Sequence, residues 1–473
     1  MGVPSTEKPS KTTVVEPRES SIVEGEVVDA NTLEEREVFK STVDGVDFRT
    51  VTWQRAILIF LKVQIATGVL GIPGAFGTLG AVGGVLSVIA WQALNTYTAI
   101  LLADFRNRHP ECHTLVDECG IIWGRLGREI AGVLFLINYV LCTGSGILGI
   151  STALNALSNH GACTVWFSFV GFIMITMFSS IRTWGKMTWP LTLAFVSVIA
   201  GVLVVVIGVS FQDRPAAAPQ TGPFDLGFHV ITYPGFIAGI TASATIFVSS
   251  AAGPNYVSVI AEMKRPQDYR KAVYPVGFIV GAVYLSFSMV IYYYCGTWIA
   301  TPSLGSAGPL LKKIAYGIAF PSLIVSAGLF NHNSSKYAFV RILRGTKHLQ
   351  SNSPIHWSTW IACNLVAGFA SFIICSAVPV FNDLLALIGS FCGAPMSIII
   401  PASLWLYDFD HYRKGNMKQM IFYGFHLLLA LLGVFVFIGG TYGTIVTIKA
   451  SYTSGGGVGS AFSCADNSNT IAS

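Results

Sequence analysis

Between Trp53 and Leu79 runs an apolar stretch long enough to cross a bilayer. Its middle reads Ile65-Ala66-Thr67-Gly68-Val69-Leu70-Gly71-Ile72-Pro73-Gly74. A plain spanning helix would fill that middle with Leu, Ile and Val. Here the glycines loosen the backbone, and Pro73 removes an amide donor and crowds the preceding turn. Lipid offers no partner to an open backbone group. A broken helix at membrane depth therefore lines a cavity or is buried in protein. The competing role for the same glycines is close helix packing, and the rest of the chain decides between the two.

The chain as a whole belongs in a membrane. Of its 473 residues, 52% are hydrophobic and only 11% charged, against about 25% charged in soluble domains. The expected class is an all-α polytopic bundle without separate soluble domains. Eleven spans are expected, near 53–79, 81–104, 128–156, 163–181, 188–210, 236–262, 272–298, 317–342, 358–377, 383–406 and 420–447. The domain reading is a disordered, acidic tail over residues 1–50, a membrane domain over 51–449 and a short external tail over 450–473. A short interfacial helix is expected in the loop between spans 2 and 3.

The net charge of +5 marks topology and not nucleic-acid binding. Arg106, Arg108, Arg125, Arg128, Arg182, Lys186, Lys264, Arg265, Lys336, Arg341, Arg344, Arg413 and Lys414 fall on one set of loops. The opposite set holds Arg214, Lys312, Lys313 and Lys449. By the positive-inside rule the N-terminus is cytoplasmic, and an odd number of spans places the C-terminus outside. There is no HExxH or GxSxG, which argues against a membrane enzyme, and no ring of filter residues to suggest a channel. No metal or cofactor is expected. Nine cysteines contain no CxxC; Cys163, Cys295 and Cys464 share one end, where a disulfide is compatible with any pairing among them.

A second interruption lies in span 6, where Phe247-Val248-Ser249-Ser250-Ala251-Ala252-Gly253-Pro254 ends one helix and starts another. Pro254 suits a first helical turn. Spans 1 and 6 correspond if the repeat is five spans long, giving a 5+5 inverted repeat plus one extra span. Paired broken spans are the best sequence pointer to a transporter site. Such a site suits an amino acid. The second half-helices offer free amides and positive dipole ends to a carboxylate, and the first halves offer carbonyls to an ammonium.

Three motifs carry a family resemblance. Lys62-Val-Gln-Ile-Ala-Thr-Gly68-Val-Leu-Gly71-Ile-Pro73 resembles the K-x-x-x-G-T-G-x-L-x-x-P opening of the amino acid/auxin permease family, with Ala66 at its first Gly. Glu262-Met263-Lys264-Arg265-Pro266 onward resembles its E-M-k-x-P motif, and Leu384 to Pro395 its span 10 signature. The chain is most similar to fungal neutral amino acid permeases of the methyltryptophan-resistance type. The resemblance implies the fold of the amino acid–polyamine–organocation superfamily. It also implies proton-driven uptake of neutral aliphatic and aromatic amino acids at the plasma membrane. Alternatives are a sodium-coupled or vacuolar transporter, or an amino acid receptor without flux. The expected partners are the amino acid, protons and the bilayer, with the chain acting as a monomer.

Carried over by motif, Thr67, Gly68, Leu70 and Gly71 face the substrate carboxylate, and Phe247, Ser249 and Ser250 face its amine and side chain. Asn138, Tyr139 and Asn331 are further lining candidates, although Asn138 and Tyr139 stand about 100° apart on a helix. Lys62, His332 and Glu262 are the proton-coupling candidates. A sodium site in this fold would use span 1 carbonyls and span 8 hydroxyls, for which Ser334 and Ser335 are the candidates. Lys62 near that place would repel sodium and stand in for it. The alternative is that Lys62 snorkels or pairs with Glu262.

Overall fold

The computed structural model describes residues 49–349, 351–378, 380–453 and 461–468. The tail reading for residues 1–50 thus falls almost entirely outside the described residues. Among those described, the chain is helical, with one isolated bridge between Val51 and Met263. Nine helices are long and apolar enough to cross a bilayer alone. Thr164–Ser179 is a shorter apolar helix, about 24 Å at 1.5 Å per residue. Span 1 makes the eleventh and is broken. The expected eleven spans are all present.

Span 1 begins as the helix Trp53–Gln64, with Thr52 Oγ1 accepting from the Arg55 amide. It stops at Gln64, continues as a 3₁₀ turn over Thr67–Leu70, and restarts as a helix at Ile72. Pro73 sits in that first turn, where its missing amide is no loss. The helix runs on to Arg108 through Gly80, whose φ of 73° turns span 1 into span 2. A side chain there would be strained. The amides of Ala81 and Val82 donate to His229 O and Val230 O, so the irregular stretch before span 6 closes this corner.

Gly124, at φ 62°, bends the helix Leu115–Ser158. The part before the bend is the short helix expected between spans 2 and 3. Span 5 is Trp184–Ser210, span 7 Arg270–Cys295, span 8 Pro309–Leu343 and span 9 Pro354–Ala377. Span 8 starts eight residues before the expected 317. Span 10, Phe381–Asp408, is largely buried, whereas span 11, Met417–Ala450, faces mostly outward. That contrast suits an eleventh span added to a ten-span core. Spans 10 and 11 both contain π turns, Ile388–Gly393 and Val436–Gly440. A Cβ on Gly440 would lie 2.7 Å from Ser390 Cβ, so the glycine lets them meet.

Span 8 packs along spans 3 and 5, and span 9 along spans 3, 4 and 8. Span 2 packs on spans 6 and 7. The disulfide joins Cys163 and Cys464; Cys295 is a buried free thiol.

Candidate functional site

Span 6 breaks as expected: Phe236–Ser250 ends, and Gly253–Ala261 begins with Pro254 in its first turn. The two breaks touch. A Cβ on Gly68 would lie 2.7 Å from Ser249 Oγ and 3.1 Å from Ser249 Cα. Only glycine allows this approach.

The last carbonyls of a helix lack intrahelical donors. Tyr284 of span 7 serves both broken ends, its hydroxyl lying 2.6 Å from Gln64 O and 2.9 Å from Ser249 O. Gln64 Nε2 donates to Ser250 O and to Gln92 Oε1, each at 3.1 Å. Its Oε1 accepts from Tyr256 Oη, and Asn95 Nδ2 donates to Ser250 Oγ. The carbonyls of Gln64, Ser249 and Ser250, at the ends of the first half-helices, are therefore already engaged by the protein.

Beside the breaks lies a cavity of about 50 Å³. Span 1 lines it with Val63, Gln64, Ala66 and Gly68, and span 6 with Val248, Ser249, Ala251, Ala252 and Asn255. Span 3 adds Asn138, Cys142 and Ser145; Phe330, Leu385, Ile388 and Gly393 complete it. No charged side chain is among them. Small-molecule sites run to roughly 300–1,000 Å³, so the cavity as it stands is too small for such a ligand. A cleft of about 750 Å³ opens at the Lys/Arg-poor end, between the second half of span 1, the first half of span 6 and spans 10 and 11. Thr245 lines that cleft and accepts from Ser249 Oγ at its carbonyl, 3.1 Å away.

The structure brings together only some of the expected residues. Gly68, Ser249 and Asn138 line the cavity, and the Thr67 backbone forms the turn beside it. Leu70 is buried in the apolar core. Gly71 lies against span 10, where a Cβ would meet Leu385 Cδ1 at 2.7 Å. Phe247 packs edge-on against Trp91, 4.8 Å between centroids. Tyr139, one position round from Asn138, packs against Phe135 and Phe330 with its hydroxyl unpartnered. Asn331 points elsewhere, donating to Ser179 Oγ and Asn364 O.

Lys62 is fully buried. Its Nζ lies 2.7 Å from Ser322 Oγ and 2.7 Å from Ser326 Oγ, and 3.4 Å from Ile65 O. It neither snorkels nor pairs with Glu262. Its span 8 hydroxyls are not those of Ser334 and Ser335, which both donate to Asn331 O several turns further on. Glu262 is instead ion-paired with Lys336 of span 8 and accepts from the Trp184 amide, all fully or nearly buried. Lys336, counted above as a loop residue, is thus a buried ion-pair partner. His332 stands between the rings of Trp184 and Trp360, each centroid 5.4 Å away, with Nδ1 3.4 Å from Ser179 O. It lies six residues beyond Ser326, about 9 Å along the helix.

A protein-family model described as transmembrane amino acid transporter protein matches residues 49–446. The chain belongs to this family. A "Transmembrane transporter" of Gibberella moniliformis is 51% identical, covering 93% of this chain and 92% of its own. The "N amino acid transport system protein" of Neurospora crassa is 28% identical, covering 88% and 89%. Among solved structures, a substrate-bound Na⁺-coupled sialic acid symporter superposes with a TM-score of 0.53 at 14% identity, covering 88% of this chain and 95% of its own. MhsT in complex with L-phenylalanine gives 0.52 at 10% identity, covering 85% and 98%. These two show the fold alone: inverted repeats with broken spans 1 and 6. As a member of the family, the chain is a multi-pass membrane transport protein for amino acids and not an enzyme.

The sequence reading missed Gln64, Tyr284, Tyr256, Asn255, Ser322 and Ser326. Each is a polar residue in an otherwise apolar span, a signal present in the sequence. Their convergence beside the two breaks was not, because it depends on how four helices rotate.

Proposed function

We infer that this transporter carries neutral amino acids into the cell by proton symport, with alternating access around the paired breaks. The observation that carries the reading is the place of Lys62. Its ammonium sits between a span 1 carbonyl and two span 8 hydroxyls, the ligand set expected for sodium. Among the described residues no carboxylate lies within ion-pair distance of it. A lysine there excludes a second cation by repulsion and can exchange a proton. An intramembrane ionisable group is a functional candidate by default. His332 and the Glu262–Lys336 pair are better read as structural, since each is held by its neighbours away from the cavity.

Neutral substrates are supported by the uncharged lining, because a Lys or Glu side chain would be desolvated without a partner. Gly68, Ser249 and Asn138 are the substrate contacts this reading retains, with the Thr67–Leu70 turn supplying amides to the carboxylate. The basic loops support a cytoplasmic N-terminus, and the plasma membrane is the proposed location. The disulfide at the other end suits an oxidising side. The test is uptake of labelled Phe or Leu into reconstituted vesicles, with an imposed proton gradient and with sodium replaced. Uptake should follow the proton gradient and survive sodium removal. Uptake that needs sodium and ignores protons would sink the coupling, and strong competition by Lys would sink the neutral lining.

A further inference from the structure

The segment 461–468, beyond span 11, lies across the ends of four helices. The Phe462 amide donates to Ser376 O of span 9 at 2.8 Å. Cys464 is disulfide-bonded to Cys163, which caps span 4, and Thr164 Oγ1 donates to Ala465 O at 2.7 Å. Asn467 Nδ2 donates to Ser151 Oγ of span 3 at 3.1 Å, and its Oδ1 accepts from Asn155 Nδ2 at 2.8 Å. Lys312 of span 8 donates to Ser468 O. Spans 3, 4, 8 and 9 are thus tied at one end by eight residues. The same four pack on one another, while spans 1 and 6 hold the breaks.

We propose that this segment is an external clasp that keeps spans 3, 4, 8 and 9 moving as one body, and that its disulfide makes transport sensitive to thiol reductants outside the cell. Three features argue for it. The clasp engages all four helices by independent bonds, so closing it restricts their relative motion. Its single covalent link is reachable, because Cys464 is exposed and Cys163 half-buried. The other described cysteines are buried or half-buried and unpaired, so a reductant has one described target. The reaction balances simply. A phosphine reductant is oxidised to its oxide, water supplies the oxygen and protons, and the S–S bond becomes two thiols.

The inference rests on transport and on the proposed orientation, with this end outside the cell; it does not depend on the substrate or the coupling ion. The test uses the intact full-length protein in cells, with whichever amino acid the parent takes up. Cells are treated with a membrane-impermeant phosphine, and an impermeant maleimide then reports the freed cysteines. Labelling should be absent in the Cys163→Ser, Cys464→Ser double variant. The initial uptake rate of the parent should fall about fivefold or more, while the double variant, if it folds, should not respond. Acute reduction of folded parent protein answers the question even if the variant does not fold. In detergent, reduction should also lower the unfolding midpoint. Complete labelling with an unchanged uptake rate overturns the proposal, whether or not the midpoint falls, because the clasp is then only a staple. Failure of the maleimide to reach the cysteines places the segment on the other side and overturns the external reading.

Discussion

Gly68→Ala isolates the contact between the two breaks. The Gly68 backbone is outside the left-handed region, so alanine meets no conformational strain and steric contact alone decides. The new Cβ would stand 2.7 Å from Ser249 Oγ and 3.1 Å from both Ser249 Cα and Cβ, where ordinary contact begins at 3.4 Å. The Oγ can rotate at the loss of its bond to Thr245 O. The Cα cannot, so the broken ends must separate by a few tenths of an ångström. Overpacking of this kind costs roughly 1–3 kcal/mol. If the cost falls on the closed, substrate-bound arrangement, uptake drops by roughly 5- to 150-fold. Initial rates of labelled Phe uptake at matched surface amounts measure it. Adding Ser249→Ala removes the 2.7 Å clash but not the contact with Cα, so the double variant should recover part of the loss. Gly68→Ala uptake within about twofold of the parent would refute the contact argument.

Lys62→Ala should flatten the dependence of uptake on external pH; an unchanged profile measured across pH would clear Lys62 of any coupling role. Tyr284→Phe leaves the Gln64 and Ser249 carbonyls without their shared donor and should lower stability by about 1–3 kcal/mol, read as a lower unfolding midpoint in detergent. Lys336→Met alone strands the Glu262 carboxylate and should cost about 3–5 kcal/mol; pairing it with Glu262→Gln should recover much of the loss, and a double variant no better than the single would contradict the ion pair. An N-terminal epitope tag should be reached by antibody only after permeabilisation, and a C-terminal tag without it.

The spans were legible because lipid forces long apolar helices, and the breaks because Gly68, Gly71 and Pro254 contradict that demand. What could not be read was rotation. Asn138 and Tyr139 are neighbours in sequence, and only the packing of span 3 against span 8 turns Asn138 to the cavity and Tyr139 to Phe330. Depth was misjudged along span 8 for a similar reason. Ser334 and Ser335 are the conspicuous hydroxyl pair, but Ser322 and Ser326, four residues apart and so on one face, reach Lys62. That the carbonyls at the broken ends already have a partner could not be read either, because Tyr284 stands out as polar in span 7 but nothing in the sequence says that its hydroxyl lies against both Gln64 O and Ser249 O. Lys336 shows the limit of counting charges, since burial with Glu262 removes it from the loop it was assigned to.

Val51, just before span 1, donates its amide to Glu262 O and accepts from the Lys264 amide, while Arg49 reaches Lys264 O. The first half of span 1 and the second half of span 6 are therefore stitched together where both meet the basic face. Neither can swing outward without dragging the other or tearing that stitch. Any motion of these two half-helices at the basic end is therefore motion of one leaf, not two, and a pull on the chain ahead of Val51 is felt by both.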